Sequence, residues 1–227
     1  KFIKKDLKEI NKINQKKYKI KFIVHLAAQA GVRLSQDNPE LFINDNILNT
    51  VKLFEFAKKN NIKDIFYASS SSVYGNCNIY PSKENLNINK PLSIYGITKQ
   101  QQEQMILLMG KILNISAVAL RYQNVYGPGQ SLSNPYTGIL SIFSTRILNG
   151  NDIDIYEDGA ESRDFVFIDD VVDATVLALE KKEANHQIFN VGSGVATTVL
   201  QVANTLKSLY NSDVKIKISG KYRLGDI

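Results

Sequence analysis

Three side chains between residues 70 and 99 have the chemistry to move a proton to and from a substrate hydroxyl. Tyr95 and Lys99 stand at i and i+4, so they lie one turn apart on the same face of any helix formed here. Ser70 precedes them, at the end of an apolar stretch. A phenol, an ammonium and an alcohol that converge can serve general acid–base chemistry. The tyrosine–lysine spacing alone is more often a half-buried tyrosine beside a solvated lysine, so the surrounding elements carry the argument.

Those elements predict a parallel sheet. An apolar strand at 62–68 ends in four serines, and a polar loop then leads to a helix expected from Tyr95 to about residue 113. Strands at 21–26 and 116–121 are separated from it by helix-length crossovers. This alternation predicts helices on both faces of the sheet and ligands at the carboxyl ends of its strands. Residues 27–30, 69–72 and 122–124 fall at such ends.

Composition is that of an ordinary globular protein. The 227 residues are 44% hydrophobic and 22% charged, with a net charge of +6. The lysines are spread along the chain without a recognisable nucleic-acid-binding module, so no nucleic-acid partner is expected. The single cysteine, Cys77, fits a reducing compartment. No stretch approaches the ~18 apolar residues of a membrane span. We therefore expect a cytoplasmic protein with no membrane partner and no metal site.

A series of motifs in a fixed order resembles the extended short-chain dehydrogenase/reductase family, and within it the NAD-dependent nucleotide-sugar epimerases and dehydratases. They are 25–28 (HLAA), 69–75 (SSSSVYG), 95–99 (YGITK), 121–127 (RYQNVYG), 163–166 (RDFV), 190–194 (NVGSG) and 223–226 (RLGD). The resemblance implies an α/β fold, a Rossmann-like doubly wound parallel sheet with a smaller substrate-binding domain. We expect residues 1–128 to form a partial NAD-binding domain, with strand 187–191 returning to its sheet. Residues 129–227 would mainly bind the nucleotide sugar, as a region incomplete at its C-terminus.

The same resemblance implies roles for individual residues. Tyr95 corresponds to the acid/base, Lys99 to its partner, whose ammonium favours the phenolate, and Ser70 to the alcohol that hydrogen-bonds both substrate and tyrosine. The residues implied in NAD binding are Asp6, Leu7, Leu26, Ala27, Ala28, Asn46, Ser69, Tyr95, Lys99 and Tyr122. Those implied in substrate binding are Ser70, Ser71, Ser72, Asn124, Arg163, Arg223 and Asp226.

Several of these assignments have alternatives. Arg163 and Arg223 suit a pyrophosphate, together with Asn124, because a guanidinium fork matches phosphate oxygens. Arg163 is equally suited to a surface ion pair with a neighbouring carboxylate, on Asp164 or Glu161. Asp226 corresponds to a residue that contacts the nucleotide ribose or orients Arg223. His25 is expected to be structural rather than catalytic, because it precedes the strand end.

The residues after Ser70 bear on the reaction. Dehydratases that this chain resembles have an acidic pair there, whereas Ser71 and Ser72 cannot supply the extra acid and base that elimination needs. The remaining chemistry is 4-epimerisation: oxidation at C4, rotation of the keto-sugar and return of the hydride to the other face. Residues 121–138 favour a dTDP-L-rhamnose or dTDP-glucose 4-epimerase, and residues 25–33 resemble UDP-glucuronate 4-epimerases. A nucleotide-sugar reductase or dehydratase, and a catalytically silent NAD-family binding protein, are the alternatives.

Two further expectations concern the residues before Lys1 and the oligomeric state. The family's glycine-rich turn and first strand are absent here and would precede Lys1 by about 50–60 residues. We therefore expect this chain alone to bind NAD poorly and the strand at 21–26 to expose apolar surface. The helices 39–60 and 95–113 carry apolar residues on more than one face, and in the family such helices form a four-helix interface. A homodimer is therefore expected. The resemblance also implies a role in cell-surface polysaccharide biosynthesis.

Overall fold

The computed structural model describes residues 2–77, 79–86, 90–131 and 138–221. The chain divides into two units. The first comprises Lys1–Tyr122 and Asp173–Asn190, and the second Gln123–Val172 and Val191–Ile227. The first stretch of the first unit thus ends at Tyr122, whereas residue 128 was expected. The second stretch, residues 173–190, begins before the strand expected at 187–191.

The described residues form the following elements in chain order. The strands are β1 (Phe22–His25), β2 (Asp64–Ser70), β3 (Ser116–Tyr122), β4 (Asn124–Tyr126), β5 (Ile153–Ile155), β6 (Ser162–Phe167), β7 (Ile188–Val191), β8 (Ala196–Thr198) and β9 (Ile216–Ile218). The α-helices are α1 (Gln15–Tyr18), α2 (Val32–Asp37), α3 (Pro39–Phe42), α4 (Asn49–Lys59), α5 (Ile94–Leu113), α6 (Ile139–Leu148), α7 (Ile168–Glu180) and α8 (Val199–Leu209). Short 3-10 helices cover Leu7–Lys12, Ser71–Tyr74 and Lys182–Ala184, and a π-helix covers Ile43–Leu48.

A four-stranded sheet in the order β1-β2-β3-β7 forms the centre of the first unit. β1 pairs with β2 and β2 with β3, both in parallel. Helices connect these strands, because a parallel pair needs a long crossover rather than a hairpin. The expected α/β fold with a parallel sheet is confirmed.

Alternation along the strands places a core on each face of this sheet. Ile65 and Tyr67 of β2 and Ala117 and Ala119 of β3 lie on one face and are fully buried. The helical residues in the same cluster are Leu53, Phe54, Phe56, Ala57 and Ile106. The buried residues that alternate with them, and so lie on the other face, are Phe66, Val118 and Leu120. Burial on both faces explains why these strands read as continuous apolar runs.

The helix expected over 39–60 is interrupted. α3 and α4 flank the π-helix, in which the Asn49 backbone N–H bonds to the Asn44 carbonyl, five residues back. The Thr50 hydroxyl donates to the Asn46 carbonyl at 2.6 Å. Asparagine has modest helix propensity, and a threonine hydroxyl that bonds the carbonyl four residues back often bends a helix. Pro39 stands at the first position of α3, where its missing N–H costs no helical hydrogen bond.

A chain of buried polar groups links β1, α4, α5 and β2. The only hydroxyl hydrogen of Thr50 goes to the Asn46 carbonyl, and Gln102 Nε2 donates to Thr50 Oγ1 at 2.8 Å. His25 Nε2, which lies 3.2 Å from Thr50 Oγ1, must therefore be the donor in that contact. Gln102 Oε1 in turn accepts from the Tyr67 hydroxyl at 2.9 Å. His25 is thus structural, and its hydrogen bond defines which ring nitrogen carries the proton.

The outer edge of this sheet is apolar and exposed. β1 has β2 on one side and is the last strand in the sheet order. Phe22, Val24 and Leu26 in and after β1 are 47%, 36% and 63% exposed. Unpaired backbone groups beside apolar side chains can pair with another strand.

The second unit has sheets of its own. β4 pairs in parallel with β6, β6 pairs antiparallel with β8, and β5 pairs in parallel with β9. Its core is formed by buried residues of α6, α8 and β5 and the segment before β9: Phe143, Ile147, Ile153, Ile155, Val202, Ala203 and Val214. The N-terminus of α8 is fixed by a capping box between Thr198 and Gln201.

The environment of His25 makes the stability of the chain depend on pH. Burial lowers the pKa of His25 from 6.5 to about 4, with a smaller contribution from the charge of Lys99. As the pH falls from 7 to 5 the unfolded chain gains a proton here before the folded chain does, so stability is lost. We expect His25→Gln, whose amide nitrogen can still reach Thr50, to reduce this loss by about 2 kcal/mol.

Urea unfolding at pH 7 and pH 5 measures the difference. The matched control is the same substitution at the only other histidine, His186→Gln. A pH dependence in His25→Gln equal to that of the wild type would contradict the prediction.

Candidate active site

The N-terminus of α5 brings the predicted proton-transfer residues close to the end of β2. Ser93 caps the helix, its Oγ accepting from the Gly96 backbone N–H at 3.0 Å. A Cβ added at Gly96 would lie 2.7 Å from the Ser72 carbonyl oxygen. Only glycine therefore lets the first turn of α5 approach the 3-10 helix that follows Ser70. The close approach of the Ser72 carbonyl thus explains why position 96, between Tyr95 and Lys99, is a glycine.

Ser70, Tyr95 and Lys99 converge in the first unit. The Ser70 side chain lies close enough to the Tyr95 phenol to favour its ionisation. Ser70 Oγ donates to Ser72 Oγ at 3.1 Å and accepts from the Ser72 backbone N–H at 3.2 Å. The buried Lys99 Nζ donates to the Ala68 carbonyl at 2.8 Å and lies 6.0 Å from the centre of the Tyr95 ring. A phenol, an alcohol and an ammonium are thus assembled at the carboxyl end of β2.

Burial dominates the acidity of both helix residues. It raises the pKa of the Tyr95 phenol above 10.0, and the Ser70 side chain opposes the rise. It also lowers the pKa of the Lys99 ammonium from 10.5 to about 8. The expected lowering of the Tyr95 pKa is therefore wrong for the chain by itself, because the cost of burying a phenolate outweighs the stabilising effect of Ser70. At neutral pH Tyr95 holds its proton.

Two residues assigned to the cofactor have their side chains committed inside the protein. The fully buried Asn46 accepts from the Gln29 backbone N–H at 2.8 Å and donates to the Gln29 carbonyl at 3.2 Å and to Thr98 Oγ1 at 3.0 Å. Ser69 Oγ donates to Glu103 at 2.9 Å. Asn46 therefore fixes the segment after β1, and Ser69 fixes the end of β2 against α5.

The segment after β1 presents small residues at the sheet end. Leu26 and Ala27 are exposed and Ala28 is half-buried. Tyr122, at the end of β3, has its hydroxyl 3.1 Å from Thr175 Oγ1.

The remaining residues assigned to the cofactor lie near the N-terminus. Asp6 caps the 3-10 helix Leu7–Lys12, and the Lys8 backbone N–H lowers the pKa of its exposed carboxyl. Leu7 packs against the core.

The residues assigned to the nucleotide diphosphate belong to the second unit. Asn124 begins β4 opposite Phe165 of β6, and Arg163 lies two residues before Phe165. Asn124 and Arg163 therefore share one face of this sheet. Arg163 Nη1 donates to the Ser162 carbonyl at 2.9 Å. Arg223 and Asp226 lie outside the described residues.

The alternative reading of Arg163 as half of an ion pair with Asp164 is not observed. Asp164 accepts from the Ser193 backbone N–H and hydroxyl, both at 2.7 Å, and from the Gly194 N–H at 2.9 Å. A Cβ at Gly192 would lie 2.4 Å from the Asp164 carboxylate. Asp164 thus holds the glycine-containing turn after β7.

Sequence reasoning missed the buried polar residues that surround Ser70, Tyr95 and Lys99 in the first unit. Gln102 and Glu103 on α5 and Arg121 on β3 are buried and carry most of the site's hydrogen bonds. One signal was available, because Glu103 continues the four-residue spacing of Tyr95 and Lys99 along the same helix face. Its partner, on another strand, could not be read from spacing.

Within the described residues, no group of three histidine, cysteine or acidic side chains is arranged to hold a metal ion. No helix in this part of the chain has the length and apolar character to cross a membrane.

Known proteins similar to this chain are nucleotide-sugar epimerases. The dTDP-L-rhamnose 4-epimerase of Burkholderia thailandensis is 32% identical in an alignment that covers 90% of this chain and 65% of that protein. The structure of UDP-N-acetylglucosamine 4-epimerase from Methanobrevibacter ruminantium M1 in complex with UDP-N-acetylmuramic acid matches with a TM-score of 0.91 and 34% identity. It covers 99% of this chain and 71% of that one.

A further structure contains the cofactor. The UDP-glucuronic acid 4-epimerase from Bacillus cereus, in complex with UDP-glucuronic acid and NAD, matches with a TM-score of 0.85 and 29% identity, over 99% of this chain and 70% of that one. The chain spans 64–65% of the length of the first curated relatives it matches. Residues 1–192 match the model of the NAD dependent epimerase/dehydratase family. With the Ser70, Tyr95 and Lys99 arrangement in place, the chain belongs to that family.

Proposed function

We propose that the full-length protein is an NAD-dependent nucleotide-sugar 4-epimerase. The observation that carries the proposal is the convergence of Ser70, Tyr95 and Lys99 at the end of β2. The relatives named as 4-epimerases for dTDP- and UDP-sugars support the same reaction. A cytoplasmic enzyme that prepares sugars for cell-surface polysaccharides fits this substrate class.

Tyr95 exchanges the proton of the sugar C4 hydroxyl in this proposal. The phenol holds its proton in the chain by itself. To accept the C4 proton it would have to be ionised, which Ser70 and the positive charges of Lys99 and bound NAD favour, and it would return the same proton when the hydroxyl forms again. Ser70 is placed to hydrogen-bond the same sugar oxygen. Lys99, fixed by the Ala68 carbonyl, supplies a buried positive charge on the same helix face. Together they perform general acid–base catalysis on one oxygen.

The residues at the end of β2 fit NAD. The donor set is an ammonium and hydroxyls, which suits the hydroxyls of a ribose, and the small residues Ala27 and Ala28 allow close approach to the backbone. We infer that Lys99, Tyr95 and the segment 26–28 hold the cofactor, with Asn46 positioning that segment. When bound, NAD supplies a hydride acceptor and a positive charge that favours the phenolate.

The surroundings of Ser70 favour epimerisation over elimination. Ser71 and Ser72 occupy the 3-10 helix after Ser70, where an acidic pair would be needed for elimination. The carboxylate of Glu103 is bound by Arg121, and that of Glu84 accepts from the Asn190 backbone N–H at 2.8 Å. The buried ion pair with Arg121 keeps Glu103 from acting as an additional acid or base. The substrate oxidised at C4 is therefore reduced again, and NAD is regenerated.

The sugar nucleotide is held by the second unit in this proposal. Asn124 and Arg163, on one face of its sheet, bind the diphosphate together with Arg223, and Asp226 contacts the ribose or orients Arg223. A dTDP-hexose is the favoured substrate and UDP-glucuronate the alternative.

We also propose a homodimer through the helices 39–60 and 95–113. Leu41 and Leu48 lie seven residues apart and are 40% and 50% exposed. On α5, Leu108 and Ile112 are 60% and 70% exposed. Apolar stripes at helical spacing on adjacent helices are suited to a helix–helix interface with a second copy.

The proposed reaction predicts a specific product. Incubated with dTDP- and UDP-hexoses, the full-length protein should interconvert C4 epimers without net formation of NADH, because the hydride returns to the sugar. NMR of the products and absorbance at 340 nm measure both. A 4-keto-6-deoxy product, or NADH in stoichiometric amounts, would rule out the epimerase assignment.

Replacing the phenol tests the acid/base role. Tyr95→Phe keeps the ring and should lower kcat by about 10²–10⁴, with sugar-nucleotide affinity nearly unchanged. Steady-state kinetics and calorimetry with the nucleotide sugar give the two quantities. Tyr210→Phe in the second unit is the matched control and should retain full activity. If Tyr95→Phe keeps more than about a tenth of wild-type kcat, Tyr95 is not the acid/base.

The interface proposal predicts a change in mass. Leu108→Glu should convert the full-length dimer into a monomer, because a buried carboxylate without a partner opposes association. Light scattering at micromolar concentration measures the mass. Leu209→Glu, at a position 76% exposed in the second unit, is the control and should remain dimeric. A wild-type monomer would refute the interface.

A further inference from the structure

Two opposite charges are buried together between α5 and β3. Arg121 Nη2 donates to Glu103 Oε1 at 2.6 Å, and Arg121 Nε donates to Glu103 Oε2 at 3.0 Å. The side chains of Arg121 and Glu103 are only 2% and 3% exposed. Burying two charges is costly, and an apolar pair of the same volume is often as stable. Stability alone therefore gives no reason for an ion pair at this point.

The acidic partner ties α5 to the strand end that carries Ser70. Ser69 Oγ donates to Glu103 Oε2 at 2.9 Å, and Ser69 lies directly opposite Arg121 in the β2–β3 register. Ser70 is the next residue along β2. Because Glu103 is hydrogen-bonded to Ser69, the residue before Ser70, a displacement of the Glu103 side chain would also displace Ser70.

Arg121, the basic partner, is hydrogen-bonded to residues that follow Ser70 in the chain. Arg121 Nη1 donates to the Tyr74 hydroxyl at 2.8 Å and to the Glu84 carbonyl at 3.2 Å. The guanidinium also lies 4.8 Å from the centre of the Tyr74 ring. The Tyr74 hydroxyl donates to Asn190 Oδ1 of β7 at 2.7 Å. Arg121 thus holds the far end of the 3-10 helix Ser71–Tyr74, while Glu103 holds the near side through Ser69.

We propose that Glu103 and Arg121 are a positioning pair that sets the axial register of α5 against β2, so that the Tyr95 hydroxyl meets Ser70 Oγ. The inference rests on the proposed function and deepens it. Tyr95, Lys99 and Glu103 follow one another at four-residue intervals. Lys99 and Glu103 are hydrogen-bonded to β2, at Ala68 and at Ser69, and the Tyr95 phenol lies beside Ser70. A shift of one residue along the helix moves these groups by about 1.5 Å, enough to break a hydrogen bond.

Conservative substitutions test the pair in the full-length protein. Arg121→Lys keeps the charge but loses the two-pronged contact, and Glu103→Gln keeps the shape but loses the charge. We expect each to lower kcat for the nucleotide sugar by about 10- to 100-fold, since misplacement of about 1 Å has effects of this size. KM should change by less than about threefold. Wild-type kcat in both variants would overturn the proposal.

A double variant separates positioning from stability. Glu103→Leu with Arg121→Met removes both charges and should melt within a few degrees of the wild type, because an apolar pair can replace a buried ion pair. Its kcat should remain low, since Ser69 and Tyr74 have lost their partners. Recovery of kcat together with Tm would show that the pair is only structural. Arg146→Lys is the matched control, because its ion pair with Asp154 is half-exposed in the second unit, and it should keep full kcat.

A readout without turnover keeps this test distinct from that of the proposed function. NMR of protein labelled with 13C at tyrosine Cζ follows the titration of Tyr95, assigned by its loss in Tyr95→Phe. We expect the Tyr95 phenol to titrate at higher pH in Arg121→Lys and Glu103→Gln, because displacement of Ser70 weakens the side-chain interaction that lowers the Tyr95 pKa. An unchanged titration in both would overturn the positioning role, even if the double variant failed to fold. Absence of turnover in the wild type would instead reject the proposed function.

Discussion

The attachment of α5 to the ends of β2 and β3 is the constraint on which the first unit depends. Thr98, Lys99, Gln102 and Glu103 form a polar row on the buried side of this helix, each at most 4% exposed. An unpartnered polar group in a core costs about 1–3 kcal/mol, so each must meet a specific acceptor or donor. Apolar packing is non-directional and tolerates sliding, whereas hydrogen bonds are directional. The helix is therefore fixed in position along its own axis.

Sequence predicted the features that depend on local spacing. The parallel sheet follows from apolar runs separated by helix-length crossovers, and the order of strands β1, β2 and β3 in the chain is their order in the sheet. The convergence of Ser70 with Tyr95 and Lys99 follows from a strand end and an i, i+4 pair. The motifs supplied the family but not the direction in which each side chain points.

Features that depend on distant partners could not be predicted. Asn46 and Ser69 were assigned to the cofactor, yet tertiary neighbours turn both side chains inward. The pKa of Tyr95 is raised because burial, which no motif reports, outweighs the stabilising effect of the Ser70 side chain. Arg163 and Asp164 are adjacent in sequence, but Asp164 is occupied by the turn after β7. In each case the sequence names the group and the fold selects its partner.

The π-helix at Ile43–Leu48 has a consequence for how this region tolerates insertions and deletions. A π-turn contains one residue more than the α-turn it interrupts, and one residue corresponds to about 100° of rotation around a helix. Losing a residue here would regularise the helix and rotate Asn46 relative to the apolar face of α4. Either the contact with Gln29 or the packing of Phe54 would then be lost. Homologous chains that keep both the contact with Gln29 and the packing of Phe54 should have their insertions and deletions in the surrounding loops. None is expected within the π-helix Ile43–Leu48.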